Sequence, residues 1–298
     1  MAAMASPRSN PPVERARLGW GTLLLVAPAL VLLLGLFLLP VGYSVYLAFT
    51  NLSLIGPTAL NYQFTGLANL QALVQDPVFW TSTWLTFAFV LGSGVIGVTA
   101  VGMILALLMR SAAPVVRVAV GAIVVVAWML PPVTAAIIWY AFSTADGTLA
   151  VLVGNPNADF LQSVPMLMVS LANVWSTAGF AMLVLAAGLR NIPDEIEEAA
   201  ALENISAWRQ FWGITMPLMR PTIVTTILLV SLLSLANFTL IWIMTAGGPG
   251  NATDILPVYS YQQAFVFDRL GYGSLISVVM VAMSTILGVF YVRSARTV

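Results

Sequence analysis

Side chains able to do chemistry are few in this sequence, and the acids among them gather in one place. Of the eleven acidic residues, Asp194, Glu195, Glu197, Glu198 and Glu203 fall in one short stretch. Carboxylates can do acid–base work or make electrostatic contacts. Their usual helpers are missing, because the sequence holds no His, no Cys and no Lys. That removes Cys and His metal sites, Ser–His and Cys–His nucleophile pairs, Schiff-base lysines and disulfides. It also removes the phosphate-binding loop of ATPases, which needs a Lys after its glycines. A formal net charge of zero and a pI near 6.2 give no case for nucleic-acid binding. The expectation is a chain with no catalytic residue, metal site or bound cofactor of its own.

The acidic stretch reads as the first half of a hairpin. Pro193 suits the first turn of a helix, and the acids behind it complement the positive helix N-terminus. Ala199-Ala200-Ala201 carry that helix by propensity alone. Asn204 can take the left-handed conformation that ends it. Ser206 is then an N-cap for a second short helix through Trp208, Phe211 and Trp212. Pro217 and Pro221 bracket the entry into the next apolar stretch. An ordinary solvated loop with surface helices is the bland alternative. The clustered aromatics argue against it, since they favour a membrane face or a protein partner.

What must position this hairpin is a membrane. Of 298 residues only 22 are charged, 60% are apolar types, and the mean hydropathy is +0.97. A soluble domain carries about a quarter charged residues, so 7% cannot cover a water-facing surface of this size. A helix needs about 20 mostly apolar residues to cross the hydrocarbon core. Six stretches qualify: Leu18–Phe49, Trp84–Met109, Val118–Phe142, Val164–Leu189, Thr222–Met244 and Gly273–Val292. The first is too long for a signal peptide. Residues 1–17 form a polar, Pro-rich leader, and residues 18–298 the six-span domain.

The arginines orient it. Arg8, Arg15, Arg17, Arg110, Arg117, Arg190, Arg209, Arg220, Arg293 and Arg296 fall on one side, and Arg269 alone on the other. The positive-inside rule puts both termini, and the hairpin of about residues 190–220, in the cytoplasm. The outer loops hold a short helix with apolar positions at Leu67, Leu70, Leu73 and Val74, then Asp146 and Asp159, then the turn Gly247-Gly248-Pro249-Gly250.

No span carries an acidic or basic residue in its interior, which argues against proton coupling. The spans do carry amides and hydroxyls. In the fourth, Asn173, Thr177 and Phe180 share one helical face. In the fifth, Ser234, Asn237 and Ile241 do, with Phe238 and Trp242 adjacent. Such groups often only bond neighbouring helices. Asn173 and Asn237 together favour a ligand pocket, because an amide in lipid is costly without a use. Pro131-Pro132 in the third span is read as a kink that packing tolerates, or as a hinge lining a cavity.

A resemblance joins these pieces. Glu198-Ala199-Ala200, three residues, Asn204, nine residues and Ile214-Thr215-Met216-Pro217 resemble the EAA loop of binding-protein-dependent ABC importers. That pattern has Gly where Asn204 stands and Leu where Met216 stands. Trp175-Ser176-Thr177-Ala178-Gly179-Phe180, Gly66-Leu67-Ala68-Asn69-Leu70 and Tyr261-Gln262-Gln263-Ala264-Phe265 extend the likeness to nearly the whole chain from Leu18. It is similar to the first permease subunit of maltose- and glycerol-3-phosphate-type importers.

The resemblance implies an all-α membrane protein with the type I permease fold of ABC importers, in the bacterial plasma membrane, its hairpin serving as a coupling helix. Glu198, Ala199, Ala200, Asn204, Trp208, Phe211, Ile214 and Pro217 would meet an ATPase. Asn173, Thr177, Phe180, Leu233, Ser234 and Asn237 would line the substrate site. It implies as partners a second homologous permease, two ATP-binding subunits holding ATP and Mg, and an extracytoplasmic binding protein delivering a sugar or related polyol. A neutral ligand fits spans without charge. A stand-alone six-span secondary transporter or channel is the alternative, and it leaves the hairpin unexplained. A membrane-embedded enzyme would have to work through Asp, Glu or Ser, and the acids lie away from any buried site.

Overall fold

The computed structural model describes residues 20–296, so the leader of residues 1–17 falls outside it. Among the described residues six helices are long and apolar enough to cross a membrane: Leu24–Ala48, Pro77–Ser111, Pro132–Leu152, Pro165–Arg190, Ala207–Leu235 and Leu270–Arg293. The chain divides after Ser44 into two units. The first holds most of span one, whose helix widens to a π-helical register over Leu33–Leu38. The second, from Val45 onward, holds the other spans and the loops between them.

Proline opens several of these helices. Pro77, Pro114, Pro132 and Pro165 each stand at a first helical position, where a missing N–H costs nothing. The short outer helix expected near residue 70 is present as Ala68–Gln75. Only Leu73 of its four apolar positions is buried. Asn69 fixes it instead, donating from Nδ2 to the carbonyls of Ala48 (2.9 Å) and Thr50 (2.8 Å).

Two expected spans are not single helices. The third breaks into Pro114–Met129 and Pro132–Ser143. Leu130 (ψ 136°) and Pro131 (φ −54°, ψ 138°) lie extended between them. Each precedes a proline, whose ring disfavours helical backbone in the residue before it. The tandem Pro131-Pro132 is thus a true interruption rather than a kink. The fifth span runs only to Leu235, passes through Ala236–Phe238 and resumes as Thr239–Thr245. It then stops where Ala246 (φ 49°) and Gly247 (φ 91°) turn left-handed. The second arm of the hairpin also differs from expectation. Helical structure, with a π-helical turn over Phe211–Thr215, runs from Ala207 into the fifth span without a stop, so the arm is an extension of that span.

Span four is the centre of the bundle. Its buried residues reach from Pro165 to Leu189. Toward the outer side Met168, Val169 and Ala172 pack with Phe89, Leu240, Ile241 and Met244. Toward the inner side Ala181, Met182 and Leu185 pack with Val98, Met103, Met219 and Val230. Small residues let the helices close. A Cβ on Gly102 would sit 2.5 Å from that of Ala181, and one on Gly179 would meet the Val124 carbonyl at 2.6 Å. Without a hydrophobic drive in lipid, such close backbone approach is what holds helices together.

The outer end is tied by one carboxylate. Asp76 caps the second span, accepting from the Val78 amide at 2.9 Å. It also accepts from the hydroxyls of Tyr259 and Tyr272, the latter at 2.7 Å, with the Arg269 guanidinium 4.5 Å from the Tyr272 ring centre. Burial pushes the Asp76 carboxyl up. The two tyrosine hydroxyls and the Val78 and Phe79 amides outweigh it and hold the group below its ordinary value. This single group joins the starts of the second and sixth spans to the loop between the fifth and sixth.

Asp254, in the same outer loop, is the opposite case. It is 1% exposed, and neither carboxyl oxygen has a hydrogen-bond partner. Burial raises it from 3.8 to about 7. The folded chain therefore holds this proton more tightly than the unfolded chain does. Its contribution to stability is full below the unfolded value and is lost as pH rises through about 7. Asp254→Asn, neutral at every pH, should raise the unfolding temperature at pH 8 by about 2–4 °C and leave it unchanged at pH 4. Thermal unfolding in detergent at the two pH values checks this. An unchanged or lower value at pH 8 would contradict it.

Candidate functional site

The polar groups predicted in the fourth and fifth spans meet at one node. Asn173 is 1% exposed and uses its whole amide. Its Nδ2 donates to Ser93 Oγ (2.9 Å) and Ser234 Oγ (3.1 Å), and its Oδ1 accepts from Asn237 Nδ2 (2.9 Å). Ser93 Oγ in turn donates to the Phe89 carbonyl at 2.7 Å. Three spans are thereby tied at one depth. Sequence reasoning named Asn173, Ser234 and Asn237 but missed Ser93. The available signal was the run Gly92-Ser93-Gly94, small residues inside an apolar span. Gly94 is required there, since a Cβ would stand 2.6 Å from Ser234 Oγ. A π-helical stretch, Val90–Val98, contains both.

The other predicted positions fall around this node. Thr177 and Phe180 follow Asn173 toward the inner side and are half-buried, and Phe180 tilts against Trp128 with ring centres 5.6 Å apart. Leu233 is 48% exposed, so its side chain is open to whatever passes or packs there. Asn237 sits in the interruption of the fifth span, half-buried, and makes no side-chain hydrogen bond beyond that to Asn173. The interruption also starts an aromatic strip. Phe238 stacks on Trp242 (5.8 Å, 18°), Tyr261 leans on both (4.9 and 4.8 Å), and Phe265 on Tyr261 (5.2 Å). Tyr261 and Phe265 were not picked out as site residues, because only the break in the helix brings their segment against Phe238. Amides and hydroxyls beside ring faces can hold a ligand with both hydroxyl and C–H surfaces, and no acidic or basic side chain is among the residues named here.

At the inner end the first arm and the turn of the hairpin have the form expected of them. The first arm is the helix Asp194–Leu202. Asn204 turns left-handed (φ 52°), with Glu203 N donating to Ala199 O (3.1 Å) and Ile205 N to Ala200 O (3.2 Å). Ser206 (ψ 147°) then starts the second arm, without a side-chain cap bond. Ala200 is buried, whereas Glu198, Ala199, Asn204 and Pro217 are exposed or half-exposed. Ile196, Ala199, Ala200, Ile205 and Ile214 form an apolar groove between the arms, with Glu195 and Glu203 at its edges. The aromatics divide. Trp208 is 72% exposed and touches Trp212 at 5.7 Å, while Phe211 is half-buried against the inner core.

Known proteins share both the sequence and the fold. Residues 98–298 match the family described as binding-protein-dependent transport system inner membrane component. The sulfoquinovosyl glycerol transport system permease protein SmoG of Agrobacterium fabrum is 33% identical over 289 residues, covering 92% of this chain and 90% of that protein. The trehalose transport system permease protein SugA of Mycobacterium tuberculosis is 30% identical over 272 residues, covering 91% and 87%. In structure, a chain of a bacterial alginate ABC transporter, solved with an alginate pentasaccharide-bound periplasmic protein, superposes with a TM-score of 0.78. The sequences there are 19% identical over 93% of this chain and 94% of that one, a likeness of fold. This chain belongs to the binding-protein-dependent inner membrane component family, as a multi-pass permease of an ABC importer whose ATPase is a separate subunit.

Proposed function

We propose that the chain is one half of a heterodimeric permease that passes a neutral sugar or related polyol inward, delivered by an extracytoplasmic binding protein. A second homologous permease completes the pathway, and two ATP-binding subunits, with ATP and Mg, drive it. The observation that carries the substrate class is the node itself. Its amides and hydroxyls adjoin an aromatic strip, and neither contains a charged group. The names of three of the relatives point the same way, to trehalose, trehalose/maltose and diacetylchitobiose transport.

Within that reading the roles of the node divide. Asn173 and Ser234, buried and bonded to one another, position the spans and shape the floor. Asn237, Thr177, Phe180 and Leu233 offer the accessible surface, with Phe238 and Trp242 beside them. The hairpin is the coupling element. Glu198 gives the polar contact to the ATPase, and the exposed Trp208 and Leu202 (85% exposed) give the apolar one. Closure of the ATPases then moves the spans as rigid bodies between outward- and inward-open states.

Two substitutions separate these roles. Glu198→Arg should leave the amount of protein in the membrane unchanged and abolish ATP-dependent uptake in cells. Wild-type uptake in that variant would remove Glu198 from the contact. Leu233→Trp should change the KM or the choice among sugars by about tenfold, the scale on which an apolar pocket responds to a methylene group or two. Its unfolding temperature should stay at the wild-type value, because Leu233 is not part of the core. Unchanged uptake kinetics across a panel of neutral disaccharides would exclude Leu233 from the pathway.

A further inference from the structure

A cleft at the outer end of the chain gathers polar side chains that the transport reading leaves without work. Its volume is about 340 Å³, at the small end of ligand clefts. Four separate segments wall it. Tyr140 comes from the third-span piece Pro132–Ser143, and Thr144 directly follows that piece. Asp159 and Gln162 come from the outer loop, Trp242 from the fifth-span piece Thr239–Thr245, and Pro249 from the turn after it. Much of their hydrogen-bonding capacity is unspent. Asp159 Oδ1 accepts from the amides of Leu161 (2.9 Å) and Gln162 (3.1 Å), which leaves Oδ2 over. Among the described residues the hydroxyls of Tyr140 and Thr144, the side-chain amide of Gln162 and the indole N–H of Trp242 have no hydrogen-bond partner.

We infer that this cleft is a second carbohydrate subsite, which holds an uncharged sugar before it reaches the node. A sugar presents hydroxyls that donate and accept, beside patches of C–H. The cleft presents the counterpart: two hydroxyls, an amide and a carboxylate around an aromatic ring. Donors and acceptors that converge on an aromatic wall are what fixes such a ligand. Asp159 is the one charged residue among those that line it. Its carboxylate makes charge-assisted bonds to sugar hydroxyls and repels a sugar carboxylate or sulfonate. It also keeps the cleft on the watery side of the membrane, since a lone carboxylate does not stay in hydrocarbon.

Placement supplies the order of events. The cleft lies among the outer loops, where an extracytoplasmic binding protein would release its ligand. Trp242 is the wall that it shares with the aromatic strip. Phe238 stacks on Trp242 and directly follows Asn237, whose amide reaches Asn173 in the node. A sugar leaving the cleft therefore slides along ring faces to the amides. This role rests on the neutral-sugar transport proposed above.

Site-directed labelling tests the subsite in the intact importer. The chain has no cysteine of its own, so Gln162→Cys supplies its single thiol. A neutral methanethiosulfonate should label that thiol without binding protein present, read by mass spectrometry of this chain. The probe is whichever neutral disaccharide the importer accumulates when its binding protein is supplied. At about 20 mM it should slow the labelling about fivefold, which corresponds to a millimolar site of the kind that hands its ligand on. Adding Tyr140→Phe should weaken that protection and leave labelling without sugar unchanged. A thiol from Asn155→Cys, in the same loop but outside the cleft, should label at one rate with or without sugar. Three results would overturn the subsite: no labelling at position 162, labelling there that ignores the accumulated sugar, or equal protection at position 155. If the importer accumulates no uncharged sugar at all, the transport reading fails first and the subsite falls with it.

Discussion

Hydrocarbon offers no water to take up a stray hydrogen bond, and a polar group left alone there costs several kcal/mol. That constraint explains how the bundle is joined. Asn173 could not remain at the middle of the fourth span unless its two donors and its acceptor all found partners, and each partner sits on another span. The same logic recurs toward the outer side. Thr86 Oγ1 accepts from the Leu256 amide at 2.9 Å, and Ser260 Oγ donates to the Gly273 carbonyl at 2.9 Å. Some hydroxyls are satisfied within their own helix, as Thr226 is by the Thr222 carbonyl, whereas those of Ser82, Thr99 and Ser143 are buried without a partner among the described residues. Apolar packing then needs only small residues and good fit, since lipid and side chain are equally oily.

The two ends of the molecule solve different problems. Outside, Asp76 and two tyrosines bind three segments at a single carboxylate, a charge-assisted arrangement stronger than neutral hydrogen bonds. Inside, the hairpin presents surface that the chain itself does not cover, including Leu202 and Trp208. In the coupling role proposed above, these large exposed side chains at a cytoplasmic tip are the surface the ATPase would meet. The arginines between these ends and the bilayer set orientation.

Much of this was legible from residue types alone. Six spans follow from hydropathy, and their direction from ten arginines on one side. Asn204 was readable as a left-handed turn because Asn is among the few residues that tolerate it, and it has φ 52°. The interruption at Leu130–Pro131 was half-readable, because tandem prolines open the ladder but do not say how far. The one at Ala236–Phe238 was not, since no proline or glycine marks it. Within it Asn237 turns its amide to a residue 64 positions away. Ser93 and the Tyr261–Phe265 half of the aromatic strip escaped for the same reason. Long-range pairing carries no local signature.

The two interrupted spans have a mechanical consequence. The pieces beyond the breaks, Pro132–Ser143 and Thr239–Thr245, pack on one another, sharing Ala136, Leu240, Ile241 and Met244 in one apolar cluster. In each span the backbone ladder is already open where the outer piece begins. Swinging the pair relative to the inner halves therefore needs torsion at a few residues and ruptures no helix. The bundle holds a ready-made elbow, two forearms strapped together and turning on joints whose hydrogen-bonding cost was settled when the chain folded.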